Sequence, residues 1–235
     1  MRRTARILIG LLGLAGFAGA AAPGRAMAVP SRVGAQFRYW DFSNGNDMRD
    51  PLAYWASPRL HVQLELWDFE EGATQFRPEV GWHPRDARGS VYTLQWRHEY
   101  RHERFTFATD QILGRSVVGR AEVSPIVGGG DILWVFAAGA DYYWGSYNFA
   151  QATLIHDPRG GGLWTLPLRV RLATETNDWL QLTIAPASQR TIGWAVDAKW
   201  HWLRAGVERN NRFDFTTLDN VIFTLGFELE LPPAE

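Results

Sequence analysis

Apolar and polar residues alternate along most of this chain. Leu60, Val62, Leu64 and Leu66 fall on one side of an extended segment, and His61, Gln63 and Glu65 on the other. A period of two is the signature of a strand with one apolar and one polar face. In 75–83, Phe76, Pro78, Val80 and Trp82 interleave with Gln75, Arg77, Glu79 and His83. In 91–101, Tyr92, Leu94, Trp96 and Tyr100 interleave with Thr93, Gln95, Arg97 and Glu99. In 164–172, Leu166, Leu168, Val170 and Leu172 alternate with Thr165, Arg169 and Arg171. The stretch 191–202 sets its apolar residues against Thr191, Asp197, Lys199 and His201, and 221–231 sets its own against Thr224, Glu228 and Glu230.

Further runs at 33–42, 104–112, 116–126, 132–144, 146–156, 179–185 and 203–210 bring the candidate strands to about 13. Turn residues separate them, as in Ser43-Asn44-Gly45-Asn46-Asp47, Gly128-Gly129-Gly130-Asp131 and Asp157 to Gly162. The segment 43–57 reads as one long loop and a candidate contact surface. No stretch after residue 28 carries a helical period. A membrane barrel made from one bacterial chain has an even number of strands. The expectation is therefore an all-β, up-and-down antiparallel transmembrane β-barrel of about 12 strands, with 10 as the next choice.

Two kinds of barrel share this alternation. A soluble one turns its apolar face inward and could bind an apolar ligand in the periplasm, whereas a membrane barrel turns that face to lipid. Strand number favours the membrane, because so wide a lumen cannot be filled by apolar side chains. The expected lumen is lined by His61, Glu65, Arg77, Glu79, Arg97, Glu99, Arg169, Arg171, Asp197, Lys199 and His201. Composition agrees. All 12 tryptophans follow residue 28, and Trp40, Trp67, Trp82, Trp144, Trp164, Trp179 and Trp202 fall near expected strand ends, where headgroup-level girdles form.

The first 28 residues read as a cleaved secretory signal peptide. Arg2, Arg3 and Arg6 precede a short apolar run from Ile7 to Phe17, and Ala26-Met27-Ala28 offers a small-x-small cleavage site. Residues 29–235 then form one barrel domain. Cleavage removes four of the 24 basic residues and none of the 25 acidic ones, shifting the net charge from −1 to −5. Lys199 is the single lysine. This balance excludes a nucleic-acid binder driven by phosphate attraction. With no cysteine there is no disulfide, thiolate metal site or thiol nucleophile.

The C-terminal run resembles the signal recognised by barrel-assembly machinery. Thr224, Gly226, Phe227, Leu229 and Leu231 occupy the polar, glycine and large apolar positions, followed by a Pro232-Pro233-Ala234-Glu235 overhang. The stretch from Asp141-Tyr142-Tyr143-Trp144-Gly145 through Phe149, Asp157-Pro158 and Arg169-Val170-Arg171 to Asn177-Asp178-Trp179 resembles the YaiO-type outer-membrane β-barrel proteins. Phe37-Arg38-Tyr39-Trp40-Asp41-Phe42 with Asp50-Pro51 resembles that family's opening strand and loop. The resemblance implies an outer-membrane location, outer-membrane lipid and lipopolysaccharide as surroundings, and a tie to envelope polysaccharide. It brings no catalytic residues.

Other motifs carry little chemistry. His98-Glu99-Tyr100-Arg101-His102 matches H-E-x-x-H, but that zinc motif needs a helix to bring both histidines to one face. The flanks alternate like strands, so a charged hairpin end is expected. His156 with Asp157, or His201 with Asp197, near Ser116 or Ser146, could serve a lipid- or glycan-modifying enzyme. No nucleophile motif accompanies them. No helix follows the triple glycines, so they are turns rather than phosphate cradles. Pro125 and Pro167 inside strands call for bulges or lumen-facing irregularity. The reading is a structural or small-polar-solute barrel without cofactor, metal or catalytic residue.

Overall fold

The computed structural model describes residues 31–72, 74–86, 89–99, 101–145, 147–174, 178–188, 192–210 and 219–231. The predicted leader, Ser146 and the Pro232–Glu235 overhang lie outside them. In chain order the strands are β1 (Ser31–Phe42), β2 (Met48–Ala56), β3 (Leu60–Phe69), β4 (Gln75–Trp82), β5 (Val91–Glu99), β6 (His102–Ile112), β7 (Val117–Gly128), β8 (Asp131–Tyr143) and β9 (Phe149–Asp157). A four-residue helix, α1 (Arg159–Gly162), leads into β10 (Leu163–Thr165) and β11 (Leu168–Ala173). Then come β12 (Trp179–Ala185), β13 (Gly193–Trp200), β14 (Leu203–Arg209) and β15 (Asn220–Leu231).

All neighbours pair antiparallel, and β15 pairs with β1 from Ser31↔Leu231 to Phe42↔Asn220, which closes the barrel. Closure leaves no free edge, as a bilayer requires. The segments β10 and β11 both lie along β9 in one register, Leu163↔Asp157 and Leu168↔Ala152. They are one wall strand interrupted at Leu166-Pro167, and the wall has 14 strands.

The expected 12 is corrected upward. The even-number rule was right, but the roughly 13 runs were one strand short. The missing one is β2, inside the expected long loop 43–57. Its alternation is hidden because Asp50 points inward while Arg49 and Pro51 point outward. Only 43–47 and Ser57 remain in turns.

Proline needed no bulge. Across Pro125 the β7–β8 register is continuous, and β6–β7 resumes the same register beyond it. Across Pro167 the strand keeps one register with both neighbours. Each proline removes a rung without shifting the ladder.

The two faces are inside out relative to a soluble protein. Leu64, Phe76, Leu94, Phe107, Leu154, Leu182, Ile184 and Leu225 are exposed, while Glu65, Arg77, Glu79, Thr106 and Gln181 are buried. A soluble barrel around an apolar ligand is thereby excluded. Outward rings form two girdles: Trp96, Trp134, Trp164 and Trp194 toward one rim, Trp55, Trp82, Tyr92, Tyr142 and Trp200 toward the other. Three of the tryptophans expected in the girdles are not there. Trp40, Trp67 and Trp179 point inward and are buried.

Candidate functional site

Inward side chains make the two halves of the lumen different. On β15 and β1–β3 they are bulky near the rim opposite the chain ends. Trp40, Phe42, Met48, Trp67 and Ile222 form a buried apolar cluster with Phe69 against it. On β6, β8 and β12–β14 many are small: Ala108, Ala137, Gly139, Thr183, Ala185, Ala195 and Gly206. One wall is lined by large rings and the other by shorter side chains.

The filled wall carries a paired charge network. The Arg38 guanidinium bonds Glu65 and lies 2.7 Å from Asp50. Trp40 and Trp67 donate their indole N–H groups to Asp50 at 3.1 Å and Glu65 at 2.9 Å. Arg77 reaches Glu99 at 3.4 Å and stacks over the Trp67 ring at 3.5 Å. Arg97 bonds Glu79, which also faces His61 at 3.4 Å. Arg159 of α1 ties Asp157 at 2.6 Å to Glu99 at 3.4 Å. Taking charges out of water is tolerable only with such partners.

The open wall is less balanced. Arg104 meets Glu122 at 3.1 Å, and Arg120 meets Asp141 at 3.0 Å and Asp110 at 3.5 Å. Lys199 lies 3.6 Å from Glu228 and 3.7 Å from Glu230. Arg169, Arg171 and Arg204 form no ion pair among the described residues.

Ten of the eleven residues expected in the lumen point inward: His61, Glu65, Arg77, Glu79, Arg97, Glu99, Arg169, Arg171, Asp197 and Lys199. His201 does not. It sits in the two-residue turn between β13 and β14 at φ 54°, exposed, with its ring 3.2 Å from Asp178. The alternation of 191–202 was read two residues too far. Arg38, Asp50, Arg104, Arg120, Asp141, Arg204 and Glu208 also face inward and were missed. All but Asp50 sit in strands whose polarity alternates weakly; Asp50 was lost with β2.

The H-E-x-x-H stretch is a hairpin end. His98 points outward and bonds Glu103 at 2.8 Å, whereas Glu99 points inward opposite His102. No group of three metal-ligating side chains occurs among the described residues. His156 points outward onto Trp164, with rings 4.6 Å apart, while Asp157 points inward to Arg159. His201 pairs with Asp178 rather than Asp197. Thr224 and Gly226 face inward and Phe227, Leu229 and Leu231 outward on the strand that closes the barrel.

At the rim nearer the chain ends, His83 follows β4. Its Nδ1 shares a 3.1 Å hydrogen bond with Thr93, and its ring stacks 6.3 Å from that of His61. Burial and the neighbouring His61 hold the His83 imidazole below its ordinary pKa.

A closed antiparallel barrel with an apolar exterior and a charged interior defines the class: a membrane barrel of porin-like fold. No family model and no curated protein matches the chain. Solved porins do. The KdgM porin superposes with a TM-score of 0.52 at 6% identity, over 85% of this chain and 100% of its own. The same scores hold for the KdgM porin in complex with disordered oligogalacturonate. Salmonella typhi OmpF in complex with daunomycin gives 0.50 at 8% identity, over 85% and 97%. These superpositions establish a shared fold, and porin-like neighbours are consistent with an outer-membrane location.

Proposed function

We propose that this protein is an exported outer-membrane barrel that passes or holds small polar solutes, saccharides among them. The observation that carries the reading is the asymmetric lumen. One wall is packed with paired charges and aromatic rings, while the other is lined by small residues and arginines. Polar groups lining a water-filled path select what enters it.

Residues 1–28 act as the leader, and Thr224, Gly226, Phe227, Leu229 and Leu231 as the signal read by barrel-assembly machinery. The exposed outer belt supports lipid and lipopolysaccharide as its surroundings. The YaiO-type resemblance and the oligogalacturonate bound by the KdgM porin, whose fold this chain shares, support a saccharide as the solute.

The test is heat modifiability followed by conductance. The outer-membrane fraction is run on SDS gels with and without boiling, and the purified barrel is placed in planar bilayers. A faster unboiled band together with discrete conductance steps is the expected result. A soluble periplasmic protein without a gel shift would overturn the reading.

A further inference from the structure

We propose that Arg169, Arg171 and Arg204 form a binding site on the open lumen wall for anionic solutes, carboxylate-bearing sugars in particular. This rests on the polar-solute reading and sharpens it.

The first argument is the contrast among inward arginines. Arg38, Arg77, Arg97, Arg104, Arg120 and Arg159 each face at least one carboxylate. Arg169, Arg171 and Arg204 face none in ion-pair range among the described residues. They sit near one another nonetheless. Arg171 lies within electrostatic reach of Arg169, Arg204 and Arg32, against one carboxylate, that of Glu228. Like charges left together in a sheltered lumen are unfavourable without an anion between them.

The second argument is how they are held. The register sets Ala173, Trp179, Lys199 and Arg204 in one row across β11–β14, and Arg171, Gln181, Asp197 and Gly206 in the next. The Arg171 and Arg204 guanidiniums converge on the Trp179 ring, at 4.3 and 5.4 Å from its centroid. Arg171 also lies 5.0 Å from the Phe149 ring. An aromatic face fixes a cation without neutralising it. The Gln181 side-chain oxygen accepts from Nε and Nη2 of Arg171 at 3.0 and 2.8 Å. That leaves its Nη1 edge for another acceptor.

The third argument is unmet donors. The Nε groups of Arg169 and Arg204 are buried without a hydrogen-bond partner, as are those of Arg32 and Arg104, which differ in facing a carboxylate through another nitrogen. Such donors are costly to leave unsatisfied. The nearest acids act on these arginines only from beyond ion-pair distance: Glu228, which accepts from Tyr54 and faces Arg32 and Lys199, reaches Arg171 and Arg204, and Asp197 and Glu208 reach Arg169. Thr183 and Ala195 continue the row from Arg169 to Glu208, and the Asp197 carboxylate lies over Gly206 at the end of that of Arg171. A carboxylate presents two oxygens in the geometry a guanidinium takes.

The test uses the full barrel in planar bilayers under a potassium chloride gradient, with D-glucuronate and neutral D-glucose as probes. The expected reversal potential lies on the chloride side, and glucuronate, not glucose, blocks the current. R171Q with R204Q should weaken the glucuronate block about tenfold, the loss expected for charged hydrogen bonds. R104Q, which removes one lumen charge from a paired site, should weaken it less. Tryptophan fluorescence titration with glucuronate reads the site independently of current, and the unboiled gel band certifies folding of each variant.

A folded, conducting barrel with equal permeability to both ions and no glucuronate effect overturns the site and leaves the polar-solute reading standing. A folded barrel that binds glucuronate without conducting supports the site and overturns transport. One that does neither overturns both.

Discussion

Tyr54 on β2 reaches across Gly34 of β1 and donates a 2.6 Å hydrogen bond to Glu228 on β15. The bond bridges the seam where the last strand closes on the first. Gly34 makes it possible: a Cβ there would lie 2.6 Å from the Tyr54 ring and hydroxyl, and equally close to the Phe227 carbonyl. The inward stripe of β1 thus needs a residue with no side chain where its neighbour lays a ring. Tyr54→Phe should lower barrel stability by about 1–3 kcal/mol, because buried Glu228 loses a donor. Gly34→Val should cost more, since backbone must move. The temperature at which the unboiled gel band disappears reads both. An unchanged transition for Gly34→Val would refute the packing described.

Asp50 is fully buried and depends on Arg38 and Trp40 for its partners. Removing one member of a buried pair leaves an uncompensated charge, at a cost of about 3–5 kcal/mol. Arg38→Met should therefore be among the most damaging single changes in the lumen. Adding Asp50→Asn should recover part of the loss, because a neutral amide needs no counter-charge. Urea unfolding in detergent provides the comparison. Purely additive losses would show that the two residues do not depend on each other.

His83 gives a pH dependence. Its folded pKa is lowered, first by burial and then by His61. The unfolded state therefore binds a proton before the folded one as pH falls, so stability increases with pH through this window. Stability is full above the ordinary histidine value of about 6.5 and declines as pH drops through it toward the lowered one. His83→Gln should flatten that slope. Melting temperatures of both proteins between mildly acidic and neutral pH decide it. Parallel curves would assign the dependence to other groups.

Much of this barrel is legible because strands alternate between two unlike solvents, lipid outside and a charged lumen inside. Where both faces obey the rule, as in 60–67 or 164–172, the strands and their inward residues follow from the pattern. The rule fails where a face breaks its own chemistry. Strand β2 was lost because Arg49 points outward and Asp50 precedes an outward Pro51. Tryptophan was ambiguous, because an amphipathic ring suits a headgroup girdle and also a polar lumen where its N–H finds a carboxylate. Trp40 and Trp67 take the second option through Asp50 and Glu65. Which arginines are left unpaired depends on neighbours across strands, and no spacing along the chain encodes that.

The aromatic cluster predicts what limits passage. Trp67 is buried in the apolar group beneath one rim, with Arg77 stacked on it. Trp67→Ala should raise single-channel conductance, since the ring occupies lumen cross-section. It should also destabilise by about 3–5 kcal/mol, as large-to-small changes in packed sites do. Conductance histograms compared with wild type are the measurement. An unchanged step size would place the constriction elsewhere.

Ala137 and Ala138 are adjacent on β8, the first facing the lumen and the second exposed on the outer belt. The same substitution at each therefore tests which face meets lipid. Ala138→Arg near mid-strand should cost about 2–4 kcal/mol and reduce the folded fraction in the outer membrane, since charge is expelled from the hydrocarbon core. Ala137→Arg should be tolerated better, because it faces the charged lumen rather than hydrocarbon, and it should narrow the path. A soluble barrel would reverse the order, with the outward arginine harmless and the inward one disruptive. The ratio of unboiled to boiled bands for the two variants separates these cases, and a greater loss for Ala137→Arg would invert the assignment of faces on which the functional reading depends.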